Sequence, residues 1–344
     1  MSQKATILHW QSPDFSVNVR LFVPTLPAAH RSRGYVVTDN ADAVQKPAPL
    51  HINKPEWLKT KIPTGDLFFD IKRDLRSKNL YTVCEEAKCP NINECWSTNT
   101  ATFMILGDTC TRGCRFCNVK TGNPNGWLDP HEGEKTAQSV AMMRLKYAVL
   151  TMVDRDDLSD GGAAHIKSVF DAIRAKSPET LLEFLGGDFQ GKDSSLEVVL
   201  SARMEVFAHN IETVERLTPR VRDARASYRQ SLQVLARVKE LADYPVFTKS
   251  ALMLGLGETM DEVVQALKDL REHQVDFITI GQYMRPSKKH LAIKEFVEPK
   301  RFDELAVIAE ELGFLSCASG PLVRSSYRAN EFYAKALQKR AERA

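Results

Sequence analysis

Between residues 102 and 280 the chain switches repeatedly between short apolar runs and segments of helical spacing. The runs at 102–106, 147–152, 181–185, 204–208, 246–254 and 277–280 have the length and content of strands. The segments at 134–145, 163–176, 194–202, 228–241 and 260–273 read as the helices between them. Strand, helical crossover and strand, repeated, build a parallel sheet with right-handed connections. Six such units are too few to close an eight-stranded barrel. The expected fold is therefore α/β, a partial (β/α)6 TIM-like barrel with its site at the C-terminal ends of the strands.

Six of the seven cysteines fall within one 34-residue window. Cys110, Cys114 and Cys117 follow the first strand with the spacing CxxxCxxC, and Cys84, Cys89 and Cys95 precede it as CxxxxCxxxxxC. Three soft thiolates from one loop suit a four-iron cluster and leave one iron open to a further ligand. Zinc sites more often use CxxC pairs completed by a second pair or by histidines, and no HxxxH partner follows here. No secretory signal is read, so disulfides are not expected. Cys317 fits neither triplet and reads as an inert buried thiol.

A formal net charge of +3 gives no case for nucleic acid, and no apolar run approaches the roughly 18–20 residues of a membrane span. Residues 1–50 are acid-poor and broken by Pro24, Pro27, Pro47 and Pro49. They are expected to be a flexible arm of a cytoplasmic protein, the alternative being a mitochondrial or plastid transit peptide. Residues 51–100 form an N-terminal cluster-binding extension with a helix at 68–80, and residues 101–285 form the barrel. Residues 286–344 add a C-terminal extension with a helix at 301–312 and a tail.

The stretch from Gly107 to Cys117 is similar to the signature of the radical S-adenosylmethionine (SAM) enzymes. With Cys84-Glu-Glu-Ala-Lys-Cys-Pro90, Asp160-Gly-Gly162, Met253-Leu-Gly-Leu-Gly-Glu-Thr259 and Gly320-Pro-Leu-Val-Arg-Ser-Ser-Tyr327, the chain resembles the lipoyl synthases over residues 54–336. That resemblance implies two 4Fe-4S clusters and SAM as cofactors, with sulfur inserted at C6 and C8 of an octanoyl chain on a carrier lysine. It implies that Cys110, Cys114 and Cys117 hold the cluster that cleaves SAM. Cys84, Cys89, Cys95 and Ser326 would hold an auxiliary cluster that is consumed as the sulfur source. The implied partners are an octanoylated lipoyl carrier protein or lipoyl domain, an electron donor of ferredoxin or flavodoxin type, and an iron–sulfur carrier that rebuilds the auxiliary cluster. Without the resemblance, Ser325 and Ser326 read as a turn or a helix cap.

Candidate SAM contacts lie in loops after strands: Asp154 and Asp157 after the second, Asn210 and Glu212 after the fourth, Gly255 and Gly257 after the fifth. The acids alternatively form a solvated turn capping the next helix, and the glycines a tight βα turn. The sequence departs from the family near the expected active face, with Met152 where a serine is usual and Gly187 where a proline is usual. Two other functions fit the cysteines, a radical SAM sulfurtransferase acting on a free small molecule and a zinc-stabilised binding module.

Overall fold

The computed structural model describes residues 54–59, 66–78, 80–86, 89, 91–97 and 100–343. The expected flexible arm at 1–50 lies outside the described residues. The N-terminal extension contains helix α1 (Asp66–Ser77), strand β1 (Tyr81–Thr82) and two short helices, α2 (Val83–Glu86) and α3 (Ile92–Ser97).

Strand β2 (Thr100–Ile105) opens the main sheet. Two short strands, β3 (Thr109–Cys110) and β4 (Lys120–Thr121), follow, and then helix α4 (Glu132–Met142). Next come β5 (Tyr147–Met152), α5 (Ala163–Lys176), β6 (Leu181–Leu185), α6 (Asp193–Leu200) and β7 (Val206–Ala208). The barrel ends with α7 (Thr218–Val221), α8 (Tyr228–Leu241), β8 (Phe247–Leu254), α9 (Met260–Glu272) and β9 (Phe277–Gln282). The C-terminal extension adds α10 (Pro299–Glu311), β10 (Ser316–Ser319) and α11 (Ala329–Arg343).

The sheet order is β1-β2-β5-β6-β7-β8-β9-β10. All neighbours are parallel except β1, which runs antiparallel to β2. The edge strands β1 and β10 do not pair with each other, so the sheet stays open, as a partial barrel must. All six expected strands and all seven expected helices are present within a few residues of their expected bounds. The tail past residue 312 is more structured than expected, because it supplies a further parallel strand, β10, and a fifteen-residue helix, α11. Neither has the apolar signal of the other elements: β10 reads Ser-Cys-Ala-Ser, and α11 buries alanines where the others bury leucine and valine.

Burial explains the layering. Phe170 of α5 and Phe207 of β7 meet Phe184 of β6 edge to face, with centroids 5.8 and 5.7 Å away. At the N-terminal ends of the strands, α11 covers the opening: Tyr333 packs on Tyr147 and Phe247, and Phe247 stacks on Phe277 at 5.0 Å. Between the strands nearby lies a buried polar group. Glu183 accepts from Tyr147 Oη and Lys249 Nζ, each at 2.7 Å.

Candidate active site

The second cysteine triplet stands on a loop whose base is clamped. β3 pairs with β4, and Gly122 N donates to Cys110 O at 2.9 Å, so the residues between are held as one projection. The entry is sharply turned: Leu106 and Gly107 have φ of 69° and 87°. Both amides donate to the Glu132 carboxylate, at 2.9 and 3.2 Å, and the His165 ring contacts the same group at 2.8 Å. At the far side Cys117 O accepts from His290 Nε2 at 3.0 Å.

Arg112, inside the CxxxCxxC spacing, locks this loop to the rest of the barrel. Its guanidinium meets Asp188 at 2.8 and 2.7 Å and Asp156 at 3.0 and 2.9 Å, a double fork. Burial alone would lower the arginine and raise the acids. The paired charges win, holding Arg112 well above its ordinary value and Asp156 at about 2. Sequence reasoning missed Arg112 and Asp188; the one available signal was that Arg112 sits between two ligand candidates.

Two sulfurs already accept backbone hydrogens, Cys110 from Arg112 N at 3.4 Å and Cys114 from Asp223 N at 3.3 Å. Such bonds favour thiolates, yet burial pushes Cys110 up to about 11 and Cys114 up to about 12. A bound metal must therefore displace these protons.

The three thiols face a cavity of about 460 Å³ at the C-terminal ends of the strands. Asp154, Asn210 and Glu212 line it as expected. Asp157 does not: its carboxylate is forked to Arg155 at 2.8 and 2.8 Å and accepts from Gly126 N. Gly255 and Gly257 are not on its wall either. Gly255 is a turn glycine with φ 95°, and a Cβ there would lie 2.2 Å from Gln282 Nε2. Both family departures are on the wall. A Cβ on Gly187 would come within 2.5 Å of Asp154 Oδ1 and 3.5 Å of Met152 Cε, so Asp154 occupies room that only glycine leaves. Burial raises Asp154 to about 6.

His209 also lines the cavity, but both ring nitrogens are engaged. Nδ1 donates to Gly186 O at 2.8 Å, leaving Nε2 to accept from Ser231 Oγ at 2.9 Å. Burial, and then Arg222, lower it to about 4, so the ring is neutral. Two wall atoms, Asn210 Oδ1 and Thr279 Oγ1, are buried without a hydrogen-bond partner. Orphaned polar atoms on a cavity wall are what a polar ligand would satisfy. The donor set and these atoms together fit a thiolate-held cluster with SAM beside it.

The first triplet flanks a second cavity, of about 590 Å³, lined by Cys84 and Cys89. Cys95 follows on α3, close enough to Cys89 for their charges to interact. Val83 lines the first cavity and its neighbour Cys84 the second, so the two share a wall. The tail motif reaches this wall from the other end of the chain. Asn91 Nδ2 donates to Leu322 O at 2.7 Å, and Thr102 Oγ1 donates to Ser326 Oγ at 2.9 Å. Thr102 also hydrogen-bonds Cys84, which places Ser326 beside the first triplet. Ser325 lines the first cavity instead. Gly281 makes this approach possible, because a Cβ there would lie 2.1 Å from Val323 O. All seven cysteines are free thiols. Among the described residues no three His, Cys, Asp or Glu side chains are grouped to hold a single metal ion.

The sequence profile of the radical SAM superfamily matches residues 104–270, and that of the N-terminal domain of lipoyl synthase matches residues 31–89. Lipoyl synthase, mitochondrial, of Schizosaccharomyces pombe is 55% identical over 296 residues, covering 85% of this chain and 80% of that protein. The protein of the same name from Candida albicans (strain SC5314) is 54% identical over 291 residues, covering 83% and 75%. Among solved structures, the FeFe-hydrogenase maturase HydG from Carboxydothermus hydrogenoformans aligns with a TM-score of 0.50 at 12% identity, over 78% of this chain and 70% of that one. This last likeness shows the fold alone.

Proposed function

The chain belongs to the lipoyl synthase family of radical SAM enzymes, and we propose that it inserts sulfur at C6 and C8 of an octanoyl chain borne on a carrier lysine. What best supports this reading is the meeting of Ser326 with the first triplet across one wall from the second triplet. A radical site and a sulfur site must adjoin if a carbon radical is to be trapped before it reacts elsewhere. Membership of this family displaces the zinc-module and free-small-molecule readings.

In this reading Cys110, Cys114 and Cys117 hold one 4Fe-4S cluster, while Cys84, Cys89, Cys95 and Ser326 hold a second. When bound, SAM and the first cluster supply one-electron chemistry able to remove hydrogen from an unactivated carbon, and the second cluster supplies sulfur. The chain's own part is placement. Arg112 and His290 fix the cysteine loop from two sides. Asn210 offers an unpartnered oxygen to an ammonium or hydroxyl of SAM, and the neighbouring Glu212 adds a carboxylate. Met104, Leu252 and Val323 give the same cavity an apolar side suited to an alkyl chain. Three thiols and a serine oxygen hold a cluster less firmly than four thiols would, which suits one that is consumed. An electron donor of ferredoxin or flavodoxin type and an iron–sulfur carrier complete the cycle.

The cytoplasmic expectation is replaced. The similar curated proteins are named mitochondrial, and the family profile begins only at residue 31, which supports the transit-peptide alternative for the residues before it. Residues 1–30 fused to a fluorescent reporter should direct it to mitochondria, and a cytosolic reporter would restore the first expectation. The activity itself is tested by mass spectrometry of an octanoylated carrier after anaerobic incubation with SAM and dithionite. The expected product has gained two sulfur atoms, with two 5′-deoxyadenosines released per lipoyl group; unchanged carrier would refute the assignment.

A further inference from the structure

Cations are not spread evenly over this nearly neutral chain. The segment from Met284 to Lys294 holds Arg285, Lys288, Lys289 and Lys294 and no acid. It follows β9 directly, and Met284 and Pro286 line the first cavity, so it forms part of the cavity mouth. Two more exposed arginines join it. Leu291 N donates to Arg115 O at 3.2 Å, and the Arg115 guanidinium donates to Arg220 O at 3.4 Å. Arg115, Arg220, Arg285, Lys288 and Lys289 are all exposed and make no ion pair with described residues. The contrast with nearby arginines is clear: Arg216 pairs with Glu262, Arg225 with Asp223, and Arg229 with Glu215. These unpaired charges sit beside residues that line the opening: Arg115 lies between Cys114 and Phe116, and Arg285 between Met284 and Pro286.

The rim is also built rather than loose. Ser287 Oγ contacts His290 Nδ1 at 2.9 Å, and His290 Nε2 donates to Cys117 O, so the turn is anchored to the cysteine loop itself. Arg285 Nε donates to His290 O at 3.0 Å and an amino group donates to Lys288 O at 2.5 Å, tightening the turn beneath the two lysines. Because the turn is already ordered, only the lysine side chains, and not the backbone beneath them, lose freedom when a partner binds.

We infer that this cationic rim is the docking surface for the carrier protein, and that it recognises an acidic face around the octanoylated lysine. The inference rests on the lipoyl synthase reading and adds the chemistry of the partner. The argument is one of reach and charge. A tethered octanoyl chain enters this cavity only if the carrier surface comes down onto its mouth, and that mouth is positive and unpaired. Rim charges of this kind act mainly on encounter rate and salt dependence.

The test uses the full-length holoenzyme, dithionite as reductant, and two substrates: an octanoylated carrier domain, and a short octanoyl-lysine peptide with no acidic residue. The variant is R220E/K288E/K289E. We expect kcat/KM for the carrier to fall by about tenfold or more, mostly through KM, and its decline with added salt to flatten. Peptide turnover, iron content and melting temperature should match the parent. Replacing acids beside the carrier lysine with lysines should restore much of the lost rate. Unchanged carrier KM and unchanged salt dependence would overturn the inference. So would a defect that appears only with a flavodoxin-type donor and vanishes in dithionite, which would assign the rim to the reductant. If the parent enzyme thiolates neither the carrier nor the peptide, the lipoyl synthase reading falls and takes the docking surface with it.

Discussion

Ser325 and Ser326 are chain neighbours with different surroundings, Ser325 on the wall of the first cavity and Ser326 bonded to Thr102, and their roles should separate accordingly. Ser326→Ala should abolish dithiolated product while 5′-deoxyadenosine release continues, whereas Ser325→Ala should retain most product; quantifying both products together checks this. His209 makes a prediction about pH. The unfolded chain protonates this ring below about pH 6.5, but the folded chain does so only near 4. Stability of the metal-free chain should therefore be insensitive to this ring above pH 6.5 and fall as pH drops toward 4. The loss is about 3 kcal/mol over that window. Urea titrations should show a shallower slope there for His209→Gln, even if that variant is weaker throughout. Legibility at this scale follows chain distance. The cysteine spacing is local and was plain. The acids Asp154 and Asp157 look alike in sequence, and only the fold reveals that Arg155 captures the second. Arg112 was hidden because its partners lie 44 and 76 residues away.

At the scale of elements, the apolar runs were legible because the central strands are buried on both faces and each helix buries one. β10 and α11 were not, since their contribution is backbone pairing and a surface of small and aromatic residues. α11 caps the end of the sheet near Glu183, Lys249 and Tyr147, where burial makes charge balance strict. Lys249→Met should leave the Glu183 carboxylate buried with only Tyr147 as a partner. The expected cost is roughly 3–5 kcal/mol. The double variant Lys249→Met/Glu183→Leu should recover much of it, because the unpaired charge is gone. Chemical denaturation of both variants decides between a charge effect and simple loss of packing.

For the whole molecule the countable quantity is iron. Anaerobically reconstituted protein should carry about eight irons per chain, and the triple alanine variant of Cys84, Cys89 and Cys95 about four. That variant should still cleave SAM, since the other triplet belongs to a different loop. Retention of all the iron would place the second cluster elsewhere. The barrel and both triplets were visible in spacing alone; the pairing of Ser326 with the first triplet came only from the family resemblance, because it is decided by how β9 and β10 bring the chain end back.

The Thr102–Ser326 and Asn91–Leu322 bonds span 224 and 231 residues. A ribosome exposes the first triplet early and the serine almost last. For most of its synthesis the nascent chain therefore carries three cysteines whose fourth partner does not yet exist. Neither the serine contact of the first triplet nor the wall of the first cavity is complete until the tail emerges, because Val323 and Ser325 belong to that wall. Premature termination within the tail would therefore remove part of both sites at once.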